Sequence, residues 1–185
     1  LTVGQAGGDL RGTDDKVIQA GIDYLHRFGG GILQILPGVY TLRNAIHLRP
    51  HLTLRGSGPD TVLKMAPSVA TPLVRDADWY EYAVRVKDPA GFAPGNGLLL
   101  STNDEKGVPK YLFATITAVQ DDMVFFDQRT EANFWLSGEA TASSLFSLLS
   151  GRHVDDVRIE SLVLDGNRAA CGHVNDNYGA AVFMQ

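Results

Sequence analysis

The densest group of residues that could carry chemistry lies near the end of this 185-residue chain. It runs through Asp165-Gly166-Asn167-Arg168, Cys171, His173 and Asn175-Asp176-Asn177. Two carboxylates that flank a glycosidic bond can hydrolyse it, one as the acid and the other as the base or nucleophile. Asp165 and Asp176 are the only candidate pair, because strand alternation should direct Glu160 to another face.

Arg168 and His173 allow a second kind of chemistry. A base of this type can remove a proton beside a carboxylate while a cation or an arginine neutralises the charge. Asp165, Asn167 and Asp176 offer oxygen ligands of the kind that hold Ca²⁺, and no other cofactor is indicated. A structural role is the alternative, because Asp-Gly-Asn is a common turn and a lone histidine without partners at ligand spacing is no metal site.

Short strands with glycine, asparagine and aspartate corners must position these residues. Residues 51–58 form an apolar strand closed by a glycine turn, and residues 157–167 and 180–183 repeat this form. A period of about 20 residues indicates stacked β coils.

The only strong helix signal covers residues 13–28. Thr13 or Asp14 can cap it, apolar residues recur at helical spacing, and Gly29-Gly30-Gly31 ends it. Short strands should follow at residues 32–36, 39–42, 46–48, 52–54 and 61–65. A helix before such strands would cover the open end of the first coil.

Residues 66–152 should form an inserted antiparallel β subdomain between the first coils, residues 1–65, and the resumed coils, residues 153–185. Prolines interrupt the rhythm here, and the apolar stretches 114–119 and 123–126 flank Gln120-Asp121-Asp122 as a predicted hairpin. Strands at residues 84–86 and 98–100 can pair nearby. The aromatic residues of this segment could stack on sugar rings or form its core: Trp79, Tyr80, Tyr82, Phe92, Phe134 and Trp135.

Composition excludes several classes of function. The formal net charge is −5 and lysine and arginine do not cluster, which argues against a nucleic-acid partner. No apolar run approaches the roughly 18 residues that cross a membrane, and a basic membrane anchor is missing as well. The single cysteine, Cys171, cannot form an internal disulfide.

The opening of the chain resembles the pectate-lyase-like superfamily. The matching motifs are residues 9–15, Gly29-Gly30-Gly31, Leu36-Pro37-Gly38-Val39-Tyr40 and Leu54-Arg55-Gly56-Ser57-Gly58. The resemblance covers residues 9–65 firmly and 154–185 more weakly. It implies an all-β fold, a right-handed parallel β-helix with an N-terminal capping helix. It also implies a secreted or periplasmic protein that acts on polysaccharide as a lyase, hydrolase or epimerase.

Two classes of function remain open. The first is an enzyme acting on extracellular polysaccharide or oligosaccharide, in which Asp165, Arg168, His173 and Asp176 would be the catalytic candidates. The second is a non-catalytic β-helix that binds glycan or serves as an adhesin or a tail-spike-like stalk. We expect an open sheet edge near residues 181–185, covered by a missing C-terminal portion or by another copy in a homo-oligomer.

Overall fold

The computed structural model describes residues 1–174 and 181–185, and it is mostly β with one α-helix. The chain divides into two compact units. The first contains Leu1–Ala66, Ser147–Ala169 and His173–Gln185, and the second contains Pro67–Phe146 and Ala170–Gly172. Among the described residues, no helix has both the length and the apolar character to cross a membrane.

The elements run in chain order as follows. The chain first forms β1 (Thr2–Gly4), β2 (Leu10–Arg11), α1 (Asp15–Arg27), β3 (Gly31–Ile35), β4 (Gly38–Leu42), β5 (Ile46–His47), β6 (Leu52–Arg55) and β7 (Thr61–Met65). The second unit contains β8 (Ala70–Pro72), β9 (Ala83–Arg85), β10 (Gly97–Asn103), β11 (Pro109–Gln120), β12 (Met123–Phe126), a short 3₁₀ helix (Leu136–Gly138) and β13 (Thr141–Ser143). The first unit then resumes with β14 (Leu149–Gly151), β15 (Arg158–Glu160), β16 (Val163–Asp165) and β17 (Val182–Met184).

The described strands of the first unit pair in parallel and form three sheets. The strand orders are β15-β6-β3-β1-β2, β16-β7-β4 and β17-β14-β5. From β3 onward, the first unit's strands enter these sheets in the same order three times. Leu33 lies opposite Leu54, and Leu54 lies opposite Ile159, so each sheet directs a row of apolar side chains inward. The predicted short parallel strands are therefore confirmed.

Helix α1 covers one end of these sheets. Asp14 caps it by accepting a hydrogen bond from the Lys16 N–H. Ile18 and Ile22 form its buried face. Gln19 bonds the outer strand β5, because its amide accepts from the His47 N–H at 2.8 Å and donates to the His47 carbonyl at 3.1 Å. The side chain thus takes the place of a further strand beside β5. The predicted helix is confirmed, and this contact agrees with a capping role.

Strands β15, β16 and β17 lie at the other end of the first unit. They are the outermost strands of their sheets. Ile159 and Leu164 are only half-buried, although their register partners Leu54 and Leu63 are fully buried. The open edge predicted near residues 181–185, and what covers it, stay predictions.

The second unit is a curved antiparallel sheet with its own core. Its strand order is β8-β13-β10-β11-β12-β9, and β11 and β12 form the predicted hairpin with Asp121 at a φ of 51°. The two outer strands are linked by a bridge between Leu73 and Val86, so the sheet curls towards closure as a half-barrel. Its buried side chains include Val84, Val86, Leu98, Leu100, Ile116, Val124, Phe126 and Phe134.

Candidate functional site

Asp165 ends strand β16 and lies beside Lys64 of β7, its register partner. The Lys64 ammonium is 2.8 Å from the Asp165 carboxylate, whose other oxygen accepts a hydrogen bond from the Asn167 N–H at 2.8 Å. The hydrogen bond from Lys64, followed by that from Asn167, lowers the pKa of Asp165. A carboxyl group held in its ionised form cannot act as a protonated acid at neutral pH.

The residues after Asp165 form the turn that was the structural alternative. Asn167 has a φ of 49°, in the left-handed region, and its amide donates to the Met65 carbonyl at 3.0 Å. Arg168 follows in an exposed turn, and His173 is exposed as well. Within residues 1–174 and 181–185, no hydrogen bond or ion pair joins Asp165 to either of them.

The remaining predicted partners do not complete this site. Asp176 lies outside the described residues, so its distance from Asp165 is open. Glu160 lies in a different sheet and pairs with Arg55 at 2.5 Å. No group of three His, Cys, Asp or Glu side chains among the described residues could hold a metal ion.

The aromatic side chains of the second unit separate into two groups. Phe92 and Phe134 are buried in its core. The other four are exposed: Trp79 at 51%, Tyr80 at 62%, Tyr82 at 55% and Trp135 at 37%. We call these four the aromatic surface. The sequence offered core packing and sugar stacking as alternatives for all six, and the structure assigns two to the core.

Two chain segments, residues 75–82 and 129–136, carry the aromatic surface. They are joined by mutual backbone hydrogen bonds between Ala77 and Phe134. Thr130, in the second segment, is fully buried. Its hydroxyl donates to the Asp78 carbonyl of the first segment at 2.5 Å and accepts from the Glu81 N–H at 3.0 Å. Its carbonyl accepts from the Tyr80 N–H at 3.0 Å. Thr130 therefore fixes the backbone turn that presents Trp79 and Tyr80.

Three of the four rings, those of Trp79, Tyr80 and Trp135, are held by specific contacts. Trp79 and Tyr80 have ring centroids 5.9 Å apart, and the Arg129 guanidinium lies 5.0 Å from the centroid of Tyr80. Tyr80 has a φ of 70°, which is uncommon for a residue with a side chain. The Trp135 indole N–H donates to the Asp78 carboxylate at 3.2 Å. These contacts order large side chains that remain exposed to water.

Carboxylates border the aromatic surface. One oxygen of Asp76 accepts from the Leu136 N–H at 2.7 Å, and one oxygen of Asp78 accepts from Trp135. Arg75 pairs with Glu81 at 3.1 Å. Ordered carboxylates beside aromatic rings can accept hydrogen bonds from a polar ligand that stacks on the rings. A sequence signal for this arrangement is the dense run Asp76-Ala77-Asp78-Trp79-Tyr80-Glu81-Tyr82.

Comparisons with known proteins give structural neighbours alone. No family model matches the sequence, and no curated protein matches it. Similar solved structures include three phage tailspikes. They are the gp54 tailspike of Acinetobacter baumannii bacteriophage AP22 in complex with A. baumannii capsular saccharide (14% identity, TM-score 0.40), the gp61 tailspike of Pseudomonas phage phi297 (10%, 0.42) and the gp49 tailspike of Pseudomonas phage LKA1 (13%, 0.38). They align with 90%, 91% and 80% of this chain, which covers 32%, 30% and 28% of theirs.

Proposed function

We propose that this protein binds a glycan and that the aromatic surface holds its sugar rings. The observation that supports this is the group of four exposed aromatic side chains beside the hydrogen-bonded carboxylates of Asp76 and Asp78. Patches of exposed apolar side chains often mark interaction sites on proteins. A sugar suits this surface, because its C–H face can stack on an aromatic ring while its hydroxyls donate to carboxylates.

The scaffold proposal follows from the first unit. We interpret its three parallel sheets, entered in a repeating order, as the start of a right-handed parallel β-helix of the pectate-lyase-like type. Residues Pro67–Phe146 would then be an insertion that carries the glycan-binding surface. A polysaccharide ligand agrees with a secreted or periplasmic protein.

Cleavage of the glycan is a second proposal, and one observation directs it towards a particular chemistry. Asp165 is paired with Lys64, so it suits a base or a charged neighbour better than the protonated acid of a hydrolase. A lyase or epimerase that uses Arg168 or His173 as the base is therefore the form of enzyme that we propose. Release of unsaturated product from a methyl-esterified polyuronate, whose sugar rings are uncharged, followed by ultraviolet absorbance, would test it.

Binding is tested with a variant that removes the stacking rings. We expect Trp79→Ala with Tyr80→Ala to raise the Kd for a bound oligosaccharide at least about tenfold, the effect of losing a central aromatic contact. Titration of the protein against a panel of oligosaccharides measures this. Phe28→Ala is the matched control, because Tyr24 and Phe28 form another exposed aromatic pair, with centroids 5.0 Å apart, in the first unit. Equal loss of binding in both variants would contradict the proposed site.

A further inference from the structure

Resting on the proposed glycan binding, we infer that the aromatic surface selects uncharged sugars and rejects uronates. The ligand class follows from the charges that border the rings. Residues 75–82 and 129–136 contain four acidic side chains and two basic ones. An anionic sugar placed on Trp79 or Tyr80 would therefore meet a net negative border.

The carboxylates are arranged to accept hydrogen bonds from hydroxyl groups. Asp76 and Asp78 each use one oxygen to accept from the protein, at 2.7 Å and 3.2 Å. Within residues 1–174 and 181–185, the second oxygen of each has no hydrogen-bond partner. An ionised carboxylate accepts strongly but donates nothing, so it bonds to sugar hydroxyls and repels a uronate carboxylate.

The two guanidinium groups near the rings already have partners. Arg75 pairs with Glu81 at 3.1 Å, and Arg129 lies over the ring of Tyr80. Recognition of a carboxylate usually needs an arginine that can present two N–H groups to it. Binding a uronate through Arg75 would require that side chain to leave Glu81. Arg129 can keep its contact with Tyr80 while its in-plane N–H groups meet a carboxylate, so it offers a uronate one cation against the two carboxylates of Asp76 and Asp78. An uncharged sugar can bind with both contacts intact.

The test uses oligosaccharides that are matched in backbone and differ in the group, and so the charge, at C6. The probes are β-1,4-mannohexaose against hexamannuronate, and methyl-esterified hexagalacturonate against its free acid, with cellohexaose and chitohexaose added. We expect an uncharged member to bind and its acidic counterpart to bind at least about tenfold more weakly at low salt. The difference should shrink in 0.5 M NaCl, because salt screens repulsion between exposed charges.

Asp76→Asn with Asp78→Asn is the decisive variant. Each asparagine keeps a side-chain oxygen that can accept from Leu136 or Trp135, so the fold of the segment is retained while two negative charges are lost. We expect the preference for the uncharged probe to fall at least about threefold. An unchanged preference, or equal binding of acidic and uncharged probes by the natural sequence, overturns the inference.

The outcomes separate this inference from the proposed function. If acidic probes bind and Trp79→Ala with Tyr80→Ala abolishes that binding, glycan binding stands and the selectivity is wrong. If no probe binds, or if binding survives removal of the rings, both are wrong. Thermal unfolding of each variant verifies that the binding data come from folded protein.

Discussion

The two units use their surface side chains in different ways. In the first unit, charged side chains pair with their register partners on neighbouring strands, as Lys64 does with Asp165 and Arg55 with Glu160. In the second unit, Trp79, Tyr80 and Trp135 are ordered by neighbouring groups and still exposed.

This difference distinguishes side chains that stabilise the fold from side chains that are available to bind a ligand. A parallel sheet brings equivalent positions together, so opposite charges on adjacent strands neutralise each other. Exposed rings gain nothing comparable from one another, since only Trp79 and Tyr80 of the four are in ring contact among the described residues. In this chain, a dense run of polar residues is therefore a weaker indication of function than side chains that are both ordered and exposed.

The largest effects should come from core truncations that distinguish the units. Leu54 and Leu98 are fully buried in the first and second units, respectively. We expect Leu54→Ala and Leu98→Ala each to lower the free energy of unfolding by about 2–5 kcal/mol, from lost apolar contact and a residual cavity. Hydrogen exchange followed by mass spectrometry should show faster exchange in the unit that carries the substitution. Equal acceleration throughout the chain in both variants would mean that the two units unfold together.

A smaller and more specific effect should come from two buried threonines. Thr130 and Thr61 are both fully buried, and each hydroxyl accepts from one backbone N–H. The Thr130 hydroxyl also contacts the Asp78 and Glu81 carbonyls, and the Thr61 hydroxyl contacts the Ile35 carbonyl. We expect Thr130→Val and Thr61→Val each to cost about 1–3 kcal/mol of stability, because backbone groups lose their partner. Only Thr130→Val should also weaken glycan binding, by roughly tenfold, since Thr130 holds the turn of Trp79 and Tyr80.

The two threonine variants test the comparison directly. Stability is measured by urea denaturation and binding by calorimetric titration at a temperature where both variants are folded. Weaker binding in Thr61→Val as well would show that the first unit contributes to the site. Unchanged binding in Thr130→Val would show that the turn geometry does not determine affinity.

Elements with local signals could be predicted from the sequence. Helix α1 was predicted at residues 13–28 and lies at Asp15–Arg27, because the Asp14 cap and the following glycines are adjacent to it in the chain. Strand β7 was predicted at its observed bounds, Thr61–Met65, as a short apolar run bounded by turn residues. Strand β14 was not singled out, because it is recognised through its pairing with β5, about a hundred residues earlier.

The candidate site depended on contacts that no local pattern encodes. Asp165 was proposed as a catalytic carboxylate, but its pairing with Lys64 follows from the register of β16 on β7. Trp79 and Phe134 looked equivalent as aromatic residues. The bridge between Ala77 and Phe134 determines that Phe134 enters the core while Trp79 stays exposed. Such a separation needs the tertiary structure.

The smallest effect should come from Asp165→Asn. Because its folded-state pKa is lowered, Asp165 contributes stability above the ordinary pKa of a carboxyl group, and this contribution disappears as the pH falls through the lowered value. We expect Asp165→Asn to reduce stability at pH 7 by less than about 1 kcal/mol, as for other exposed ion pairs. The difference should shrink as the pH falls through the lowered pKa of Asp165, because the wild-type side chain then loses the charge that the variant lacks. In a Lys64→Gln background, the same substitution should have a smaller effect on stability, which a double-mutant cycle measures.

Glycan binding should be unchanged, since the aromatic surface belongs to the second unit. A large loss of glycan binding in Asp165→Asn would show instead that the binding site includes the first unit.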